Sequence, residues 1–110
     1  MAYDEALAAR IREHTAGEPV EEKKMFGGLA FLLGGHMAVA ASGKGGLMVR
    51  VEPSETESLL EEPGAAPFKM GGRGEMSGWL RVSADAVTDE HDLARWVGRG
   101  LTYARSLPPK

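Results

Sequence analysis

Hydrophobic positions along this chain fall into blocks of two different periods. Near the amino terminus Tyr3, Leu7, Ile11 and His14 recur at helical spacing, with Asp4 and Glu5 at the positive end of the macrodipole. The spacing predicts a short amphipathic helix. It should stop near Ala16-Gly17-Glu18-Pro19, where the glycine can cap and the proline blocks continuation. The densest apolar run follows, Met25 to Leu33, entered through Met25-Phe26-Gly27-Gly28. Paired glycines inside a strand-like run mark a bulge, a bend or a close backbone approach, so this strand is expected to bend. Two further strand signals lie at about Met37 to Ala41 and Leu47 to Val51, separated by Gly34-Gly35 and by Ser42-Gly43-Lys44-Gly45-Gly46, both hairpin chemistry. Leu29, Phe31 and Leu33 alternate with Ala30 and Leu32, and Leu47, Val49 and Val51 with Met48 and Arg50. One sheet face is therefore more apolar than the other.

The second half repeats the logic. Ser54 and Glu57 have capping-box spacing at the start of a second helix, docked by Leu59 and Leu60 and ended by Glu61-Glu62-Pro63-Gly64. Pro67-Phe68-Lys69-Met70 and Gly78-Trp79-Leu80-Arg81-Val82 read as strands, joined by the glycine-rich Gly71-Gly72-Arg73-Gly74-Glu75. The clearest helix closes the chain: Leu93, Trp96, Val97, Leu101, Ala104 and Leu107 share one face. Thr88 can cap it, and Arg95, Arg99 and Arg105 suit its later turns. Uninterrupted hairpin signals without β-α-β alternation predict an α+β two-layer sandwich over 1-110. It has an antiparallel sheet of about five strands, helices mainly on one face, and the order α-β-β-β-α-β-β-α.

Composition narrows the function classes. A chain of 110 residues, 43% hydrophobic and 26% charged, has a globular composition and enough length for one core. There are no cysteines, which removes disulfides and thiolate sites and suits a cytoplasmic protein. No signal-peptide pattern or bilayer-length apolar run is present, so no membrane partner is expected. The net charge of −3 argues against wrapping nucleic acid by bulk electrostatics. The negative charge sits in residues 1 to 22, where six carboxylates outnumber Arg10 and Arg12. The remainder is nearly neutral.

Candidate chemistry is sparse. Ser42-Gly43-Lys44-Gly45-Gly46 lacks the spacing and following hydroxyl of a phosphate loop and sits between two strands. Gly71-Gly72-Arg73-Gly74 resembles one unit of an arginine-glycine segment, but such segments work by repetition. His14, His36 and His91 lie in different elements without ligand spacing, and the serines have no nucleophile elbow. Glu61 and Glu62 read as a solvated helix end. No enzymatic activity, metal or cofactor is therefore expected. The sheet face opposite the apolar one is more informative: period two sends Met48, Arg50, Trp79 and Arg81 there, types enriched at protein interfaces. The plainer alternative makes Arg50 and Arg81 cross-strand solubilising residues, with Trp79 covered by the Gly71 to Gly78 loop.

Several landmarks in order, Met25-Phe26-Gly27-Gly28, Gly35-x-Met37, Leu47 to Val51, Pro67-Phe68, Met76 before Gly78-Trp79 and a last helix containing Trp96, make this chain resemble the N-terminal domain of the TfoX/Sxy family of bacterial competence regulators. The resemblance implies a fold similar to type III secretion chaperones. It also implies an accessory role in transcription, which founding members exert with a cyclic-AMP receptor protein and a second, helical domain. This chain ends after its last helix, so it looks like a stand-alone version of the N-terminal domain. No catalytic residue travels with the resemblance. The expected function is a small protein-interaction domain, a monomer or weak homodimer, whose partner is another protein and which does not bind DNA by itself. The alternatives are a direct nucleic-acid binder and an enzyme or small-ligand binder.

Overall fold

The computed structural model describes residues 3–25, 27–69 and 75–109. Phe26 and the Gly71-Gly72-Arg73-Gly74 connection lie outside them. The elements run α1 (Glu5–His14), β1 (Val20–Met25), β2 (Gly28–Leu33), β3 (His36–Ala41), β4 (Leu47–Arg50), a 3-10 turn (Pro53–Glu55), α2 (Thr56–Leu59), β5 (Ala65–Lys69), β6 (Glu75–Val82), a second 3-10 turn (Ala84–Val87) and α3 (Glu90–Ser106). All strands form one antiparallel sheet in the order β1-β2-β3-β4-β6-β5. The α+β class and layering follow the sequence expectation; the strand count does not.

The additional strand is β1. The run expected as one bent strand is instead two, β1 and β2, paired antiparallel with Met25 opposite Gly28 and Val20 opposite Leu33. Gly27 has φ +75, and a Cβ on Gly28 would press on the carbonyl of Ala41 and stand 3.0 Å from the Gly43 nitrogen. Both glycines are thus required, one by conformation and one by proximity. β1 itself, Val-Glu-Glu-Lys-Lys-Met, exposes its four charged residues on both faces at the rim of the sheet.

Burial divides the sheet into two faces. Leu29, Phe31, Val39, Leu47, Val49 and Leu80 pack beneath the helices, around Ile11 of α1 and Trp96 of α3. α3 fits closely because β3 carries a bulge: Phe31 pairs with Val39 and Leu32 with Met37, leaving Ala38 unpaired. The backbone of Ala38 then faces Gly100 of α3, where a side chain would strike it. Asp89, not Thr88, caps α3, accepting a hydrogen bond from the His91 amide at 2.7 Å. Arg10 of α1 donates to the Val87 carbonyl at 2.7 Å and so ties α1 to the turn before α3.

The second helix is shorter than its sequence pattern predicts. Ser54 lies within the 3-10 turn, and no side chain caps α2. The hydroxyl used is that of Thr56, which accepts from the Gly78 amide at 2.8 Å. That bond anchors β6 at Gly78, whose φ is +88, and β6 runs from Glu75 rather than starting at Gly78.

Candidate functional site

On the face away from the helices, Ala30, Met37, Ala40 and Met48 form a second buried apolar cluster. Met25, Leu32, Phe68 and Trp79 pack against it and remain partly accessible. The register explains this grouping. Ala30 pairs with Ala40, Ala40 with Met48, and Met48 with Arg81, so one row of side chains crosses four adjacent strands. Small residues occupy the β2 and β3 positions of that row, and Arg81 at its far end is exposed.

Met48, Arg50, Trp79 and Arg81 are brought together by the β4–β6 pairing, Met48 opposite Arg81 and Arg50 opposite Trp79. They are not equally accessible. Met48 is only 4% exposed and belongs to the cluster. Arg50 is half-buried, with its guanidinium carbon 5.2 Å from the centre of the Trp79 ring and 5.5 Å from that of Tyr103 on α3. A cation held between two aromatic faces is attracted by both ring quadrupoles. Arg50 is therefore not the freely outward residue that strand alternation implies. Phe68 adds a tilted ring contact to Trp79, centroids 6.1 Å apart. Of the Gly71 to Gly78 loop, the cover expected for Trp79, residues 71–74 lie outside the described residues and 75–78 are the first part of β6 rather than a loop.

Around the end of β4, Tyr103 connects this face to a cleft of about 600 Å³. One wall is a polar stripe of α3, formed by Arg95, Arg99, Thr102 and Ser106. The other wall carries Glu52 and Glu55, with Val51, Gly98 and Tyr103 between the two. Glu62, whose sequence context reads as a solvated helix end, instead accepts from Arg95 at 3.1 Å and from Arg99 at 2.8 Å. Its carboxyl is held below the usual carboxylate range, chiefly by the Arg99 hydrogen bond and against the effect of burial, with Arg95 assisting. Arg95 also donates to Asp92 at 3.1 Å. Arg99 lies over the Trp96 ring at 4.5 Å.

The histidines have separate partners: His14 meets Glu90 at 2.7 Å, His36 meets the Pro108 carbonyl at 2.7 Å, and His91 is exposed in the first turn of α3. Among the described residues no group of three or more His, Asp or Glu side chains could hold a metal ion, and no helix is long and apolar enough to cross a membrane. Sequence reasoning located the outer face but missed the cleft. Its one available signal was the polar stripe at positions 95, 99, 102 and 106, which recurs at helical spacing beside the apolar stripe of α3.

No curated protein matches the chain. The family model for the TfoX N-terminal domain matches residues 12–104, a span that contains the whole sheet, the outer cluster and nearly all of α3. The chain therefore belongs to the TfoX N-terminal domain family.

Proposed function

We propose that this domain is a cytoplasmic protein-interaction module without catalytic chemistry of its own, which takes its partner on the outer face of the sheet and acts as an accessory to transcription. The observation that carries the reading is the second apolar cluster. A sheet with helices on one side presents Leu32, Phe68 and Trp79 at the margin of that cluster on the other, with Arg81 beside them. Aromatic, methionine and arginine side chains grouped in this way are characteristic of interface cores. Membership of the TfoX N-terminal domain family supports the regulatory part of the reading. The net charge of −3 supports the protein over the nucleic acid as partner, because counterion release needs clustered cations.

Arg81 is the residue to test, since it is exposed and, among the described residues, makes no ion pair. Arg81→Glu should leave thermal stability within about 0.5 kcal/mol and weaken capture of the native partner. Tight, salt-sensitive binding of the unmodified chain to DNA at moderate salt would transfer the reading to nucleic-acid recognition.

A further inference from the structure

We infer that the cleft beside α3 seats a basic stretch of the partner protein, a lysine- or arginine-bearing peptide segment; this rests on the protein-interaction reading above and specifies the chemistry of its partner. Size is the first argument. The stripe from Arg95 to Ser106 runs along roughly 16 Å of helix at 1.5 Å per residue, and about 600 Å³ is room for a few residues of chain rather than for an ion.

Charge is the second argument. The charge of both α3 guanidiniums is already matched: Arg95 pairs with Glu62 and Asp92, and Arg99 pairs with Glu62 through Nη2, its Nη1 being buried without a hydrogen-bond partner and so turned away from the cleft's solvent. Across the cleft the Glu52 and Glu55 carboxylates are exposed, and among the described residues neither has an ion-pair or hydrogen-bond partner. Including Arg50, which is held against Tyr103, three guanidiniums stand against four carboxylates. An entering phosphate or carboxylate would find neutralised arginines and face two unpaired acids. An entering ammonium or guanidinium would find those acids as its partners. Gly98 and the half-buried Tyr103 ring offer the apolar surface along which the stem of a long basic side chain lies. Thr102 offers a hydroxyl to the peptide backbone, and Ser106, whose hydroxyl donates to the Tyr103 carbonyl at 2.6 Å, offers an acceptor.

The test uses the full 110-residue chain, with amide chemical shifts followed by NMR. Three blocked tripeptides, Ala-Lys-Ala, Ala-Glu-Ala and Ala-Gln-Ala, are titrated to millimolar concentration at low and moderate salt. The lysine peptide alone should shift the amides of Glu52, Gly98, Thr102 and Tyr103, and salt should weaken it. In the doubly substituted Glu52→Gln, Glu55→Gln variant its affinity should fall on the order of fivefold to tenfold, the sum of two exposed ion pairs. Both acids are exposed, so the melting temperature of the variant should stay near that of the parent. Preferential binding of the glutamate peptide, shifts confined to residues outside the cleft, undiminished affinity in the variant, or no shift with any peptide would each overturn the inference. Arg81→Glu lies outside the cleft. Weakened capture in Arg81→Glu without peptide binding by the parent therefore removes this inference alone, and unchanged capture in Arg81→Glu with peptide binding kept removes the outer-face reading alone.

Discussion

Two glycines two positions apart on α3, Gly98 and Gly100, should respond differently to alanine, the first gaining stability and the second losing it. Alanine is favoured over glycine inside a helix by about 1 kcal/mol. At Gly98 a Cβ would meet nothing within 4 Å, so Gly98→Ala should realise most of that gain, about 0.5–1 kcal/mol. At Gly100 the new Cβ would stand 2.9 Å from the carbonyl carbon of Ala38 and 2.9 Å from Cγ1 of Val39, with the Ala38 oxygen closer still. The obstacle is mainly backbone of the bulged strand, which has no rotamer to change. The helix must instead lift from the sheet and loosen Trp96, Val97, Leu101 and Ala104, all of them buried. Overpacking of this kind costs about 1–3 kcal/mol. After the helix-propensity gain is subtracted, Gly100→Ala should be less stable than the parent by up to about 2 kcal/mol, and, since that gain is common to both variants, less stable than Gly98→Ala by about 1–3 kcal/mol. Urea unfolding with a shared m-value measures this directly, and melting should separate the two variants by roughly 10 °C. A Gly100→Ala protein as stable as Gly98→Ala would refute the close approach of α3 to β3. A Gly98→Ala protein that lost as much would show that the helix itself, rather than its packing, resists the methyl group.

At the β1–β2 hairpin, Gly27→Ala should cost about 1 kcal/mol for its positive φ, and Gly28→Ala more, because the Ala41 carbonyl blocks the added atom; equal urea midpoints for the two variants would count against the distinction. The Glu62 carboxyl lies below its ordinary 4.5 in the folded state, first through Arg99 and then through Arg95. A carboxyl lowered in this way stabilises the fold above its ordinary pKa and loses that contribution as pH falls through the folded value. Glu62→Gln should therefore melt below the parent at neutral pH, with the gap shrinking as pH drops below 4.5. A gap that stays constant across the acid range would assign the loss to packing instead.

The central strands were legible as apolar runs set between hairpin glycines, buried at nearly every position, and α3 was legible because its buried positions recur at helical spacing. β1 was illegible for the converse reason. Its four charged residues are exposed on both faces, so no alternation exists to detect, and only its register against β2 makes it a strand. The Ser54–Glu57 spacing predicted a cap that the chain does not use, since Pro53 opens a 3-10 turn there and the neighbouring hydroxyl of Thr56 is drawn to Gly78. For the outer face, alternation correctly assigned Met48, Arg50, Trp79 and Arg81 to one side. It could not show that Met48 is buried by its row or that Tyr103, 53 positions away in sequence, reaches Arg50. The cleft was hidden for the same reason. Its walls come from the turn after β4 and from one stripe of α3, and no linear motif joins them.

The rims of the sheet bear on how this protein behaves at high concentration. An open sheet ends in two rows of backbone groups that another chain could copy, the usual starting point for fibrous aggregation. Here one rim is β1, whose Glu21, Glu22, Lys23 and Lys24 place both signs of charge on both faces. A foreign strand could match that pattern only in one register. The other rim is β5, where Pro67 lacks a donor and interrupts the template. Six strands can therefore remain open side by side without recruiting a seventh, and growth by edge addition is discouraged at both ends while the broad face stays available.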